Sequence, residues 1–587
     1  MRPLTQRGVR PATHGRRSSL VTLARAPVLL APVLLGVGVL VLRASPSAAQ
    51  EVEPPSQREL ALPDFAPEPV QTARPTLPPL SLPERTGPLR VASAPRRHVP
   101  GYRIVGNTVF SDAELLAVLE GLRGRDVSYE ELREAARLLT LFYVQRGYVT
   151  SGATLERVRD DGTVEIRVTE GVLQDVRIEG LRYFRTEPVR ARVMPAPGSI
   201  VELAGLERRV RALLDDPRIE RLEAELIPGE QRGEAALHLR IRERSPFAIG
   251  LELTNDQSPA LGPVRARVTL SHLNVTGNAD VIEASYAQAR GLDEMQLQYR
   301  LPLRPSGPWL GLRYGATRSE NREEPFVPLD IGSRSASYAL DLELPVYRGD
   351  RLSASIGLSA ELRNSRSFLL GDGFAFSQGV EEDGSTRVRV LRFSQEATVR
   401  DSEQVMTFLS TFNLGSGAFG ATTERVEPDG RFVSWLGRLR LAQRLPWWNA
   451  VAILRLDMQL SNDPLLPVEQ FSVGGASSVR GYRRSELLRD TGAVGSLELR
   501  LPIWRRASGE PVVEVAPFYD FGSARNRRRP TPGMQSISSA GVGFLVRLGA
   551  RARAELYLAE ALRDAPRSSN DPALADRGVH FRIRTEF

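Results

Sequence analysis

Two short stretches hold the residue types from which a built contact could be made. The first is Val479-Arg480-Gly481-Tyr482, in a long connection that also contains Gly474-Gly475 and ends near Asp490-Thr491-Gly492. The second is Phe518-Tyr519-Asp520-Phe521-Gly522, inside an alternating segment. There Val513, Val515, Tyr519 and Phe521 share one face, and Glu514, Ala516, Phe518 and Asp520 share the other. A guanidinium presents a planar fork that matches the two oxygens of a carboxylate, so Arg480 and Asp520 are natural partners. The chemistry on offer is a fixed ionic contact that holds a loop to a wall; the alternative is two unrelated surface charges. Catalysis has little to work with. The five histidines, His14, His98, His238, His272 and His580, are scattered, and neither a Gly-x-Ser-x-Gly elbow nor a His-Glu-x-x-His metal motif occurs. Cys and Lys are absent, which removes thiolate ligands, a Cys nucleophile, Schiff-base chemistry and a P-loop lysine. Asp160-Asp161-Gly162 reads as a hairpin turn rather than a calcium loop. The expectation is a protein that is not an enzyme and needs no cofactor or metal.

The elements that must position Arg480 and Asp520 are strands. From Phe247 onward, segments of about ten alternating residues recur between Gly, Pro, Asn and Asp, the signature of a membrane barrel. Val264-Ala266-Val268-Leu270 opposes Arg265-Arg267-Thr269-Ser271, and Met295-Leu297-Tyr299-Leu301 opposes Glu294-Gln296-Gln298-Arg300. Leu352 to Leu362, Ala452 to Leu460 and Leu497 to Leu501 repeat the pattern. In the final stretch Val579, Phe581, Ile583 and Phe587 face one way and His580, Arg582, Arg584 and Glu586 the other. Apolar residues on lipid and charged residues in a wet lumen explain this, with about sixteen strands expected. A soluble β-sandwich is the alternative, but it seldom keeps such alternation over so many hairpins. Trp309, Tyr338, Trp435, Trp447 and Trp448 are expected near strand ends, as interfacial girdles. The inward set Arg265, Arg267, Arg300, Arg438, Arg440, Arg455, Asp457 and Glu498 reads as mixed, mobile charge.

The 587 residues exceed one compact core. The net charge of +8 is concentrated at the start: seven arginines and no acid precede Gln50, leaving 8 − 7 = +1 for the rest. The charge therefore does not point to nucleic acid. Residues 1–49 read as a signal peptide, with an Arg-rich start, an apolar run from Ala26 to Leu42 and a small-residue cleavage site at Ser47-Ala48-Ala49; a membrane anchor is the alternative. Residues 50–98 are a Pro-rich linker. Two tandem β-α-α-β-β modules follow, at 99–172 and 173–244. In the first, Ser111 to Glu114 and Ser128 to Glu131 are capping boxes, the second opening a helix through Leu132, Ala135, Ala136 and Leu139. In the second, a helix runs through Leu206, Val210, Leu213 and Leu214. The barrel would occupy 245–587, with the motif-bearing loop at 462–493 folded inward.

With two such modules, Val479-Arg480-Gly481-Tyr482, the Phe-x-Asp-x-Gly stretch at Phe518, Asp520 and Gly522, and a terminal Phe587, the chain resembles the POTRA-plus-barrel superfamily of outer-membrane transporters. Two modules rather than five point to its two-partner secretion branch, of the hemolysin secretion/activation type. The resemblance implies a mostly β fold: a sixteen-strand transmembrane antiparallel barrel preceded by two α+β POTRA domains in the periplasm of a Gram-negative cell. It implies that Arg480 is pinned against the barrel-wall Asp520, and that Phe587 is read by the barrel-assembly machinery. It implies export of a secreted exoprotein partner, an adhesin or hemolysin, taken unfolded by the POTRA domains through strand addition. Val164 to Val168 and Ala235 to Ile241 are the candidate edges. Family members often carry an N-terminal helix that plugs the pore; here only Glu51 to Leu62 could form one. An assembly factor for other barrels is the second reading, which predicts more repeats and a weak seam between first and last strands. A plain diffusion porin is the third.

Overall fold

The computed structural model describes residues 96–305, 307–349, 351–423, 427–549, 551–564 and 573–587. The expected signal peptide, nearly all of the linker and the candidate plug helix lie outside the described residues.

The first α+β unit is a three-stranded sheet with Val164–Thr169 at its centre, parallel to Tyr102–Val105 and antiparallel to Gly152–Val158. Helices Asp112–Val118 and Tyr129–Gln145 cover it. Both begin at complete capping boxes, Ser111 with Glu114 and Ser128 with Glu131, each contributing about 1 kcal/mol. Leu132, Ala135, Ala136 and Leu139 then fall on the buried stripe against Ile166 and Val168. At the end of the expected linker, Arg97–Val99 pairs with Arg125–Val127. The second unit repeats the design with Glu234–Glu243 at the centre, between Val172–Glu179 and Ile219–Pro228. Its helices are Thr186–Val193 and Leu203–Leu214. Leu206, Val210 and Leu213 are buried, whereas Leu214, expected on the same stripe, is exposed.

The repeat extends to individual contacts. Gly106 and Gly180 both have φ near +87°, and a Cβ at either would sit within 2.4 Å of a carbonyl oxygen on the central strand, Val168 or Ile241. Two residues beyond those carbonyls, Glu170 accepts from the Thr108 and Val109 N–H groups and the Tyr143 hydroxyl, and Glu243 accepts from the N–H groups of Arg182, Tyr183 and Phe184. Burial opposes the Glu170 charge, but these donors hold its carboxyl below the ordinary range.

Both proposed edges prove wrong. Val164 to Val168 and Ala235 to Ile241 lie on the central strands and spend their backbone groups on both neighbours. Alternation reports that one face of a strand is buried and says nothing of whether its edges are paired. The outer strands are the ones with an unpaired side among the described residues.

From Phe247 the chain forms a closed antiparallel barrel. Sixteen strands of eight to eighteen residues run in sequence order, and Val579–Glu586 returns to pair with Phe247–Thr254. Closure satisfies the backbone of every strand, the condition for crossing lipid without helices. Leu312, Leu340, Leu358, Leu497 and Ile583 point outward and are each 44–56 % exposed, which only a hydrocarbon surround makes favourable. Short turns such as 401–403 and 445–450 lie at one end, and long connections such as 370–384 and 526–535 at the other.

The second α+β unit joins the short-turn end. Arg218 donates to the carbonyls of Leu273 and Ala279 in the turn after the second barrel strand (2.9 and 2.8 Å), while Asp216 grips Arg218 and Arg192. Exposed Trp447, Trp448 and Trp504 ring that same end, Trp309 opens a strand there, and Trp435 lies near the opposite rim. Tyr338, expected near a strand end, sits in the middle of Gly332–Arg348.

Candidate functional site: the loop anchored in the barrel

The connection between Val451–Ser461 and Thr491–Arg505 turns back into the lumen. It contains a 3₁₀ turn at Pro467–Glu469 and a small hairpin of Phe471–Val473 with Leu487–Arg489. The hairpin is held at its base by Asp490, which accepts from the Leu465 N–H, the Gln470 amide and Arg529.

Arg480 at the tip is almost fully buried and uses both sides of its guanidinium. Nε and Nη2 each donate to Asp520 at 2.8 Å, and the Arg480 N–H adds a third bond to the same carboxylate at 3.1 Å. Nη1 donates to Glu498 at 2.7 Å, and Nη2 to the Ser496 hydroxyl at 3.1 Å. The guanidinium carbon lies 3.5 Å from the Phe518 ring centre and 4.7 Å from that of Tyr557. Such stacking in a desolvated site contributes about 2 kcal/mol. Burial disfavours the Arg480 charge, and Asp520 and Glu498 offset that cost. Arg500 bonds the far side of Glu498 at 2.8 Å, Arg455 also faces Glu498 and Glu555 faces Arg500, so three arginines meet three carboxylates.

Each other motif residue has a place. Val479 and Tyr482 pack with Phe471, Val473, Leu487 and Ile537 in an apolar cluster. The Tyr482 hydroxyl lies 2.9 Å from the carbonyls of Ser538 and Arg563. Gly481 has φ +87° and passes close under Ala559, while its N–H donates to His580 Nε2 at 2.9 Å. That bond requires the imidazole proton on Nδ1. Phe518, Asp520 and Gly522 project inward at the two-residue period of a strand. Phe518 stacks, Asp520 binds, and Gly522 leaves room: a Cβ there would fall 2.3 Å from Val473 Cγ1 and 3.0 Å from Val479 Cγ2. Phe587 extends the seam, exchanging backbone bonds with Ile249 (2.9 and 3.2 Å), and its ring is exposed.

Several partners were not identified as such from sequence. Glu498 and Ser496 lie directly across from Phe518 and Asp520, so their role follows once register is known. Arg483 clamps Asp576 (2.5 and 2.8 Å) and Glu323 (2.9 and 3.1 Å), two residues in other connections that no periodicity marks. Several of the inward charges are paired. Arg265 is bonded to Asp256 at 2.8 Å and Arg440 grips Asp457 bidentately at 2.6 and 2.9 Å. Arg267 lies 3.3 Å from Glu294 and Arg300 3.5 Å from Glu343, in each case two strands along the wall.

Residues 233–546, more than half of the chain, match the sequence model of the haemolysin secretion/activation protein family ShlB/FhaC/HecB, and residues 98–171 match that of the ShlB-type POTRA domain. The chain is 25% identical over 461 residues to the outer membrane transporter CdiB of Dickeya dadantii (strain 3937), covering 75% of this chain and 78% of that relative. It is 25% identical over 429 residues to the hemolysin transporter protein ShlB of Serratia marcescens, covering 70% and 73%. Among solved structures, CdiB from Escherichia coli shares the fold with a TM-score of 0.59 at 20% identity, over 86% of this chain and 93% of that one. BamA from Haemophilus ducreyi lacking POTRA domains 1-3 shares it with a TM-score of 0.53 at 14% identity, over 84% and 100%. A lipid-facing sixteen-strand barrel, a ShlB-type POTRA match and a family match across the anchored loop and its wall lead to one assignment: the chain belongs to the haemolysin secretion/activation family of outer-membrane transporters.

Proposed function

We propose that this protein exports a secreted partner protein from the periplasm to the cell surface by two-partner secretion. Residues 99–172 and 173–244 are then two periplasmic POTRA domains, and 245–587 the barrel, with the loop from 462 folded into it. The partner arrives unfolded and pairs with a free sheet edge; Gly152–Val158 and Ile219–Pro228 take the place of the central strands first considered. Arg480 and Asp520 hold the loop in its resting position, and Phe587 is the signal read by the assembly machinery. Nothing in this scheme calls for catalysis; the direction of export comes from folding outside.

The observation that carries the reading is the loop drawn into the lumen and pinned there by Arg480 in a buried, charge-balanced contact. A plain porin needs neither that contact nor the two α+β units. The assembly-factor reading asks for a weak seam. Here the seam has five paired positions against seven and eight on either side, extended by Phe587 and by Asn255, which bonds Val579 and Phe581 on the closing strand at 2.8 and 2.7 Å; the presence of two modules, fewer than that reading predicts, is what counts against it. The test is to compare culture-medium proteins with and without the gene. Disappearance of one large protein is expected; an unchanged medium with a general loss of outer-membrane barrels would favour the assembly factor.

A further inference from the structure

The loop that carries Arg480 makes a second buried ionic contact, with reversed polarity and on different strands. Glu469, closing the 3₁₀ turn, accepts from Arg392 Nη2 at 2.8 Å and Nη1 at 3.1 Å, and lies 3.8 Å from Arg363. Arg363 also donates to the Val468 carbonyl at 3.0 Å, and Glu361 bridges the two arginines at 2.6 and 3.2 Å. Glu361, Arg392 and Glu469 side chains are 4, 4 and 6 % exposed. With Glu469 in place Arg392 has two carboxylate partners; without it, the buried Arg392 keeps Glu361, to which Arg363 also donates. Beside it Leu465 and Leu466 are completely buried against Val388, Val390 and Phe432.

The arginines stand on Leu352–Leu369 and Ser385–Arg400, whereas the Arg480 carboxylates stand on Thr491–Arg505 and Pro511–Arg525. The two clusters share no residue. Between them the chain turns at Gly474 and Gly475, with φ of +113° and +94°. A Cβ at Gly474 would fall 2.5 Å from the Arg483 carbonyl oxygen, so only glycine permits this turn.

We propose that Glu469 is a second and independent anchor, a positioning residue that keeps the base of the loop on the wall when Arg480 lets go. Losing the Arg480 contact takes the tip, 474–486, off the wall strands; Arg483, bonded to Asp576 and Glu323 in other connections, then remains as its ionic tether while the tip turns about Gly474-Gly475. Residues 462–473 stay seated, because the Glu469 cluster and the Leu465-Leu466 contact do not depend on Asp520. The opening is thereby limited to what the tip vacates. This adds to the translocator reading a statement of which part moves, and its test requires no secretion, so its failure leaves that reading standing.

The chain has no cysteine, so a single introduced thiol reports alone. The full chain is purified in detergent with Leu466→Cys or Val479→Cys, both at fully buried positions, and the rate of maleimide labelling is measured. Both thiols should be protected when no other change is made. Adding Glu469→Gln should speed labelling at position 466 on the order of a hundredfold, as expected when a buried ion pair loses one partner. Adding Arg480→Ala should expose position 479 and leave position 466 protected. Labelling at 466 in the Arg480→Ala protein would show that the loop moves as one piece and overturn the proposal. So would protection at 466 in the Glu469→Gln protein. Should Glu469→Gln not fold, the Arg480→Ala arm decides alone.

Discussion

Arg480 makes all of its contacts inside a shell that water does not reach, so each partner depends on the others. Removing one member of such a buried pair costs about 3–5 kcal/mol, mostly because the remaining charge is stranded. Arg480→Ala is expected to abolish most secretion while barrel abundance in outer-membrane fractions stays close to normal, since the strands do not need the loop to close. Asp520→Ala should give the same defect. The double variant should be no worse than either single, because the two groups act as one unit. Gly522→Val tests shape rather than charge: its side chain would occupy the space of Val473 and Val479, and secretion should fall although every charge is retained. Immunoblots of medium and membrane fractions check all four. Arg480 and Asp520 were legible as partners because strand alternation aims Asp520 inward and a glycine-rich loop offers the arginine. Glu498 was legible only as an inward charge, since its place beside Arg480 depends on the register between two strands. Arg483, Asp576 and Glu323 were invisible, because their approach depends on three connections whose lengths carry no periodicity.

Strands of the barrel announce themselves by alternation, since one face is lipid and the other a charged lumen. Helices Asp112–Val118 and Tyr129–Gln145 announce themselves by their caps. Thr186–Val193 does neither: it begins after Arg185 without a side-chain cap, and its eight residues are too few for a clear stripe. Free edges were misread for a related reason, as the best-patterned strand of a three-stranded sheet is its centre. A photo-cross-linker at exposed Glu223, on the outer strand of the second unit, should therefore capture the incoming partner, and one at His238 on the central strand should not. Asp216 supports the joint between that unit and the barrel. Its burial opposes ionisation, yet Arg218 and Arg192 hold its pKa below the ordinary value. Its contribution is then fully present above the normal aspartate range and is lost as pH falls through the lowered value. Asp216→Asn should loosen the joint at neutral pH, seen as faster proteolysis near residue 244, and the difference from the unmodified protein should vanish in strong acid.

The whole molecule combines a wall that lipid stabilises, a loop that bridges its lumen, and two modules in tandem, the second fastened to the rim of the barrel. The wall and the order of the modules could be read from sequence, because each rests on local period and turn chemistry. The pairing of the lumen charges could not, because it is a property of the closed cylinder. The central claim is that this chain alone conducts an unfolded partner across a bilayer. The most direct measurement uses proteoliposomes containing the purified chain with its POTRA domains outside, given the denatured exoprotein identified from the culture medium. The account predicts that the exoprotein becomes protected from external protease, and that Arg480→Ala vesicles fail to protect it. An exoprotein that stays fully digestible while the inserted barrel conducts ions would contradict the account.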